Sequence, residues 1–191
     1  VGAQKEGAAE PFVVPAVGSH GASTGEGQAE VLRHVGVREE EAGCPVRATM
    51  ETVLLGETPS GVEVFMDRHA YEADAVILVN RVKPHTAFRG RVESGPTKML
   101  AIGLGKQKGA HSVHSAGWEN IHRTIPEAAP VAVESGKVAF GLAILTGFGP
   151  GLRTALDVAR SARHRDPDRR PVIVVVTDGR ANSAGPPPAP S

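Results

Sequence analysis

The segment AVILVN, residues 75–80, is an uninterrupted apolar run that leads directly into the cation-rich loop RVKPHTAFRGRVESG, residues 81–95. Continuous apolar runs of this length are typical of strands that are buried on both faces of a parallel sheet. Comparable runs predict further buried strands at residues 12–17, 51–55, 62–66, 137–145 and 171–176. The fold is therefore expected to be organised around parallel strands.

Helical patterns lie between these apolar runs. They predict helices at residues 25–34, 67–73, 98–116, 121–134 and 154–163. Ser23 or Thr24 would cap the first helix, and Asp166-Pro167 would stop the last. Because strands alternate with helices, we expect an α/β fold: a doubly wound, mostly parallel sheet with helices on both faces. In such folds ligands bind beyond the carboxyl ends of the strands.

The overall composition is that of an ordinary globular protein, with 40% hydrophobic and 22% charged residues. Basic and acidic residues both number 21, so no net charge attracts nucleic acid or an anionic membrane. Cys44 is the single cysteine, which excludes an intramolecular disulfide, and no apolar run approaches the roughly 18–20 residues that span a bilayer. We therefore expect a cytoplasmic protein that binds neither nucleic acid nor membrane.

The charged residues change in type near Leu145. Every lysine and glutamate lies before this position, whereas residues 146–191 carry seven arginines and four aspartates. This change predicts an α/β domain at residues 1–145, an appended helix and strand at residues 146–182, and a disordered proline-rich tail at residues 183–191. Pairing of the apolar run at 171–176 with earlier strands on both of its edges would contradict a junction near Leu145.

Three glycine-flanked loops carry the candidate chemistry. GSHGAST, residues 18–24, places His20 after the first strand and beside the amides that open a helix, which suits an anionic ligand. The loop at 81–95 is rich in cationic side chains: Arg81, Lys83, His85, Arg89 and Arg91. The third, residues 97–117, contains Lys98, followed by His111 and His114 on one face of a helix.

Each loop also has a plainer interpretation, as a turn histidine, a solvated cationic loop or an ordinary helix. Several familiar mechanisms lack their motifs. The sequence has no HExxH motif with a carboxylate cluster, and GLGKQKG at residues 103–109 lacks the order of a Walker A loop. It also has no GxSxG motif, and Cys44 has no identifiable catalytic partner.

Three segments, taken in order, carry a family resemblance: VVPAVGSHGASTGEGQAEVL, EADAVILVNRVKPHTAFRGRVESG and KMLAIGLGKQKGAHSVHSAG. Together they resemble the N-terminal domain of the nickel-dependent lactate racemase family, over about residues 1–145. The resemblance implies a racemase or epimerase of a 2-hydroxy acid that uses hydride transfer through a nickel pincer nucleotide. It also implies partner proteins that build this cofactor.

The same resemblance implies roles for particular residues. Lys98 corresponds to the lysine that tethers the cofactor covalently, and His114, sixteen residues later, to the histidine that binds nickel. His20 and His85 match the pair that transfers protons. His111 is the competitor for the nickel position. Cations for the cofactor phosphate and the substrate carboxylate would be Arg81, Lys83 and Arg89.

The chain also departs from this family. The segment that precedes Val1 in the family and the C-terminal domain that closes the cleft are absent, so we expect an incomplete fragment. Residues 153–182 resemble part of the von Willebrand A-type domain of magnesium chelatase, with Asp178 as one corner of a metal site that lacks its DxSxS partner. Two other functions stay open: a non-catalytic module that binds an anionic small molecule or nucleotide, and a chelatase-type metal-dependent interaction domain.

Overall fold

The computed structural model describes residues 10–82, 90, 92–144 and 171–176. Its strands are β1 (Val13–Pro15), β2 (Thr52–Glu57), β3 (Glu63–Asp67), β4 (Ala75–Arg81), β5 (Val138–Ile144) and β6 (Pro171–Val176). Four of them form one sheet in the order β1-β6-β4-β5, and every pair in it is parallel. The prediction of a parallel sheet is confirmed.

The helices are α1 (Gly25–His34), α2 (Glu39–Ala42), α3 (Arg68–Glu72), α4 (Pro96–Lys98), α5 (Lys106–Ser115) and α6 (Ile121–Glu134). A π-helical turn, Met99–Gly103, follows α4, and a 3₁₀ turn, Trp118–Asn120, precedes α6. Thr24 is the N-cap of α1, as expected, because its hydroxyl accepts a hydrogen bond from the Gly27 amide at 3.0 Å. None of the helices in the described part of the chain is long and apolar enough to cross a membrane.

Helices cover both faces of the sheet. On one face Val13 and Ile77 pack with Leu32 of α1 in a buried cluster that also contains Cys44. On the other face the neighbouring strand residues pack against α4–α6 and the π-helical turn: Val14, Val76, Leu78, Leu100 and Ile125 share one cluster. Successive strand residues point to opposite faces, so β1 and β4 each contribute to both cores. The expected doubly wound α/β architecture is confirmed.

Strands β2 and β3 form a separate antiparallel pair rather than part of the parallel sheet. Leu54 of β2 is 49% exposed, and four of the seven residues of β5 are exposed, so the expectation of a buried strand is wrong for β2 and for β5. Only one face of β3 is fully covered, at Val64 and Met66, and β3 contacts α5. The apolar run of β2 therefore reflects a hairpin laid over helices, with one side open to solvent.

The strand β6 occupies the centre of the parallel sheet. It pairs with β1 on one edge and with β4 on the other. This placement contradicts the expected junction near Leu145, because the sheet needs β6 to connect β1 to β4. An apolar run without charged residues is suited to this central position, and Pro171 stands at its first residue, where proline is tolerated. The predicted helix at 154–163 and the tail at 183–191 lie outside the described residues.

The single helix expected over residues 98–116 is interrupted. The break follows from a close approach of two backbones: a Cβ on Gly103 would lie 2.5 Å from the carbonyl oxygen of Ala16. The chain therefore widens into the π-helical turn, and α5 restarts at Lys106, whose φ of 54° is left-handed. The interruption places Lys98 and His114 on two separate helices.

Candidate functional site

The loop that carries His20 begins where β1 ends, at the carboxyl edge of the sheet. The Gly18 amide donates to the Gly103 carbonyl at 3.2 Å, and the His20 amide donates to Val17 at 3.1 Å. The next three residues all have left-handed backbone: Gly21, Ala22 and Ser23, at φ of 73°, 53° and 54°. His20 itself is exposed. Residues 18–24, called the His20 loop below, thus form a tight turn that presents an imidazole to solvent.

Two buried side chains hold the backbone beneath this loop. The amide nitrogen of Gln28 donates to the carbonyl of Gly18 at 2.7 Å and to that of His20 at 3.4 Å. The Nζ of Lys106 donates to the Gln28 oxygen at 2.8 Å and to the Pro15 carbonyl. Both side chains are 0% exposed. Neither residue belongs to a motif that predicts such a role from the sequence.

The charge of Lys106 is balanced inside the core by Asp67. Its Nζ lies 3.1 Å from one carboxylate oxygen of Asp67, a contact that is an ion pair but is not aligned as a hydrogen bond. The other carboxylate oxygen accepts from the Ala70 amide at 3.0 Å and caps α3. Burial lowers the pKa of Lys106, and the charge of Asp67 opposes that shift.

Lys98 ends the short helix α4, which lies against β4 and β5. A Cβ on Gly95, just before α4, would lie 3.4 Å from Val82, and one on Gly141 of β5 would lie 3.0 Å from Pro96. Lys98 is half-buried, and Arg81, the last residue of β4, is half-buried as well. Three residues of the predicted site lie outside the described part of the chain: Lys83, His85 and Arg89.

His114 lies near the end of α5 and stacks on an indole. Its ring centroid is 4.9 Å from that of Trp118, with 19° between the planes. Partial burial lowers the pKa of His114 most, followed by the positive charges of Lys98 and of His111. A lowered pKa keeps this imidazole neutral at pH 7, with a free electron pair that a metal ion can accept.

We expect an NMR titration of the metal-free chain to give His114 a pKa below its ordinary 6.5. Lys98→Met should raise that pKa, because it removes a positive charge that disfavours the imidazolium. Lys108→Met is the matched control, since Lys108 is not among the charges that shift His114. A pKa that Lys98→Met leaves unchanged would show that the two side chains do not interact. As the pH falls, His114 takes up its proton at a higher pH in the unfolded chain than in the folded chain. His114 should therefore also lower the free energy of unfolding as the pH falls below 6.5.

The His20 loop and the His114 helix are neighbours. A Cβ on Gly18 would lie 3.3 Å from the side chain of Ile102 and 3.8 Å from that of Ala110. His114 follows Ala110 by four residues, so both lie on the same face of α5. The described residues therefore bring the His20 loop, the π-helical turn after Lys98 and the His114 face of α5 into one neighbourhood.

His111 lines a groove on the side of the β2–β3 hairpin. The groove has a volume of about 1030 Å³, lies between this hairpin and helices α5 and α6, and is also lined by Lys108 and Ser112. The His111 ring is 3.4 Å from the Ser115 hydroxyl. No group of three His, Cys, Asp or Glu side chains within the described ranges could hold a metal ion by itself. A metal bound here would need donors besides these side chains.

The family model of the lactate racemase N-terminal domain matches residues 5–124, more than half of the 191-residue chain. No curated protein and no solved structure shows significant similarity to the chain. The resemblance of residues 153–182 to a von Willebrand A-type domain is not supported by these comparisons. Asp178, its expected metal ligand, lies outside the described residues.

Proposed function

Because the chain belongs to the lactate racemase N-terminal domain family, we propose that it serves a racemase or epimerase of a 2-hydroxy acid that uses a nickel pincer nucleotide. The observation that carries this proposal is the match of the family model to residues 5–124, and it is supported by the neighbourhood that the His20 loop, the turn after Lys98 and the His114 face of α5 share. By the family resemblance, Lys98 would attach the cofactor and His114 would bind the metal, and the positive charge of Lys98 contributes to the lowered pKa of His114. We also propose that the chain depends on partner proteins that build the cofactor and that it is located in the cytoplasm.

The described residues fit such a cofactor. A pincer nucleotide brings sulfur and carbon donors of its own, so one imidazole from the protein completes the set, and a cluster of three protein ligands is not required. Nickel favours imidazole and soft sulfur ligands. His114 suits this role because its lowered pKa keeps the ring neutral, and Lys98 is close enough to influence it electrostatically.

When bound, the cofactor would supply a reversible acceptor for the hydride of the substrate's C2–H bond. Loss of this hydride makes C2 planar, which racemisation requires. The chain's residues would do the rest. His20 would accept the proton of the C2 hydroxyl at a ring nitrogen on one face, and His85 would do so on the other. Arg81, Lys83 and Arg89 would neutralise the cofactor phosphate and the substrate carboxylate.

The test is the mass of the peptide that contains Lys98. Co-production of the chain with proteins that build the cofactor should add a covalent adduct to Lys98, and Lys98→Arg should abolish it. Lys108→Arg, at an exposed position on α5, should leave the adduct unchanged. An adduct on another lysine would contradict the assignment of Lys98 as the residue that attaches the cofactor. Complete absence of an adduct would overturn the proposal in favour of a non-catalytic module for anionic ligands.

A further inference from the structure

Backbone strain in this molecule is concentrated beside one polar network. Among the described residues, three that are not glycine have positive φ: Ala22 and Ser23 in the His20 loop, and Lys106 beneath it. Each such conformation costs on the order of 1–3 kcal/mol and persists only where the surrounding structure fixes it. Something beside the loop must therefore hold it in place.

The hydrogen bonds of the network are directed at one stretch of backbone. The carbonyls that accept from Gln28 and Lys106 belong to Pro15, Gly18 and His20. These residues span the end of β1 and the start of the His20 loop. Buried ion pairs add little stability compared with a well-packed apolar core, so a network of this composition is better explained by the conformation that it specifies.

The far end of the network is anchored to a different part of the fold. Asp67 ends β3, caps α3 through Ala70, and its backbone amide donates to the Leu104 carbonyl at 2.7 Å. Lys106 reaches from this anchor to Gln28, which in turn reaches the loop. These contacts thus fix the position of the His20 backbone relative to β3 and α3, which lie outside both the His20 loop and the parallel sheet.

From these contacts we infer that Gln28 and Lys106 are positioning residues, which hold the His20 imidazole at the height and angle needed for proton transfer. The catalytic part of this inference rests on the proposed function. The structural part, that Gln28 orders the His20 loop, stands on the hydrogen bonds alone. Misplacing a reacting group by about 1 Å can cost a hundredfold in rate.

The decisive variant is Gln28→Met, which keeps the length of the side chain and leaves the Lys106–Asp67 pair in place but removes the donor to Gly18 and His20. We expect amide hydrogen exchange at His20 and Thr24 to rise about tenfold or more, since opening the loop becomes easier. In the cofactor-loaded chain, kcat should fall about 10- to 100-fold with little change in KM. The Lys98 adduct and the nickel content should not change.

The matched control is Ile125→Val, a mild change at a fully buried residue of α6 whose apolar side chain makes no hydrogen bond or ion pair to the network. It should leave exchange at His20 and Thr24 and the value of kcat near those of the native chain. If Gln28→Met raises loop exchange no more than Ile125→Val does, the inference is overturned. If the native loaded chain does not racemise any 2-hydroxy acid, the proposed function fails, and the exchange comparison alone decides whether Gln28 orders the loop.

Discussion

Lys106→Met is expected to lower the free energy of unfolding by about 3 to 5 kcal/mol, the cost of removing one partner from a buried ion pair. The reason is the charge left behind: Asp67 is 0% exposed and would keep its carboxylate in the core without a counterion. The Pro15 carbonyl and the Gln28 oxygen would lose their donor as well. Urea denaturation followed by circular dichroism at pH 7 measures the change.

Two comparison variants make this result specific. Lys108→Met, on the exposed side of the same helix, should change the free energy of unfolding by no more than about 0.5 kcal/mol. Adding Asp67→Asn to Lys106→Met should recover part of the loss, because the amide keeps the cap on α3 and removes the uncompensated charge. A loss below about 1 kcal/mol for Lys106→Met would contradict the expectation that Asp67 is left with an uncompensated charge in the core.

His114→Ala is expected to abolish nickel retention in the cofactor-loaded chain. His114 is the histidine whose pKa responds to Lys98, and its neutral ring is the form that binds metal. His111 lines the groove beside the β2–β3 hairpin, so His111→Ala should weaken retention by about tenfold at most, as expected for a residue next to a ligand. Elemental analysis of both variants after gel filtration measures the bound metal.

The control for this comparison is His122→Ala, at an exposed histidine of α6, which should retain nickel as the native chain does. All variants must carry the Lys98 adduct, so that lost metal is not confused with lost cofactor. A reversed ranking, with His111→Ala losing the metal and His114→Ala keeping it, would transfer the ligand role to His111 and leave the fold unaffected.

The elements with strong local signals could be predicted from the sequence. The sequence predicts the helices at Gly25–His34 and Ile121–Glu134 with the bounds that the structure shows, because apolar periodicity defines both and the Thr24 cap marks the start of the first. The interruption after Lys98 could not be predicted. It depends on the approach of Gly103 to the Ala16 carbonyl, a contact between distant segments that no local pattern indicates.

The candidate site divides in the same way. His20, Lys98 and His114 were identified through the order of three family-like segments, which is a long-range pattern visible in the sequence. Lys106 was not, because a lysine in a glycine-rich segment is ordinarily expected to be in solvent. Its burial requires Asp67 and Gln28, which are remote in sequence, so only the folded chain shows why it stays inside.

The central place of β6 is a further case. The composition after Leu145 differs from that of the preceding chain, and this difference favoured an appended segment. Strand order in a parallel sheet is set by crossover connections and not by residue usage, so composition had no bearing on it. The pairing of β6 with both β1 and β4 shows that residues from both sides of Leu145 build one sheet.

The stacking of Trp118 on His114 also has an optical consequence. Trp118 is the single tryptophan of the chain, and its ring lies 4.9 Å from the imidazole while 59% of the residue stays exposed. All indole fluorescence of the molecule therefore originates against the candidate nickel ligand. A protonated imidazole or a transition metal in van der Waals range of an excited indole quenches its emission. The chain thus carries a native fluorophore whose brightness follows the state of His114.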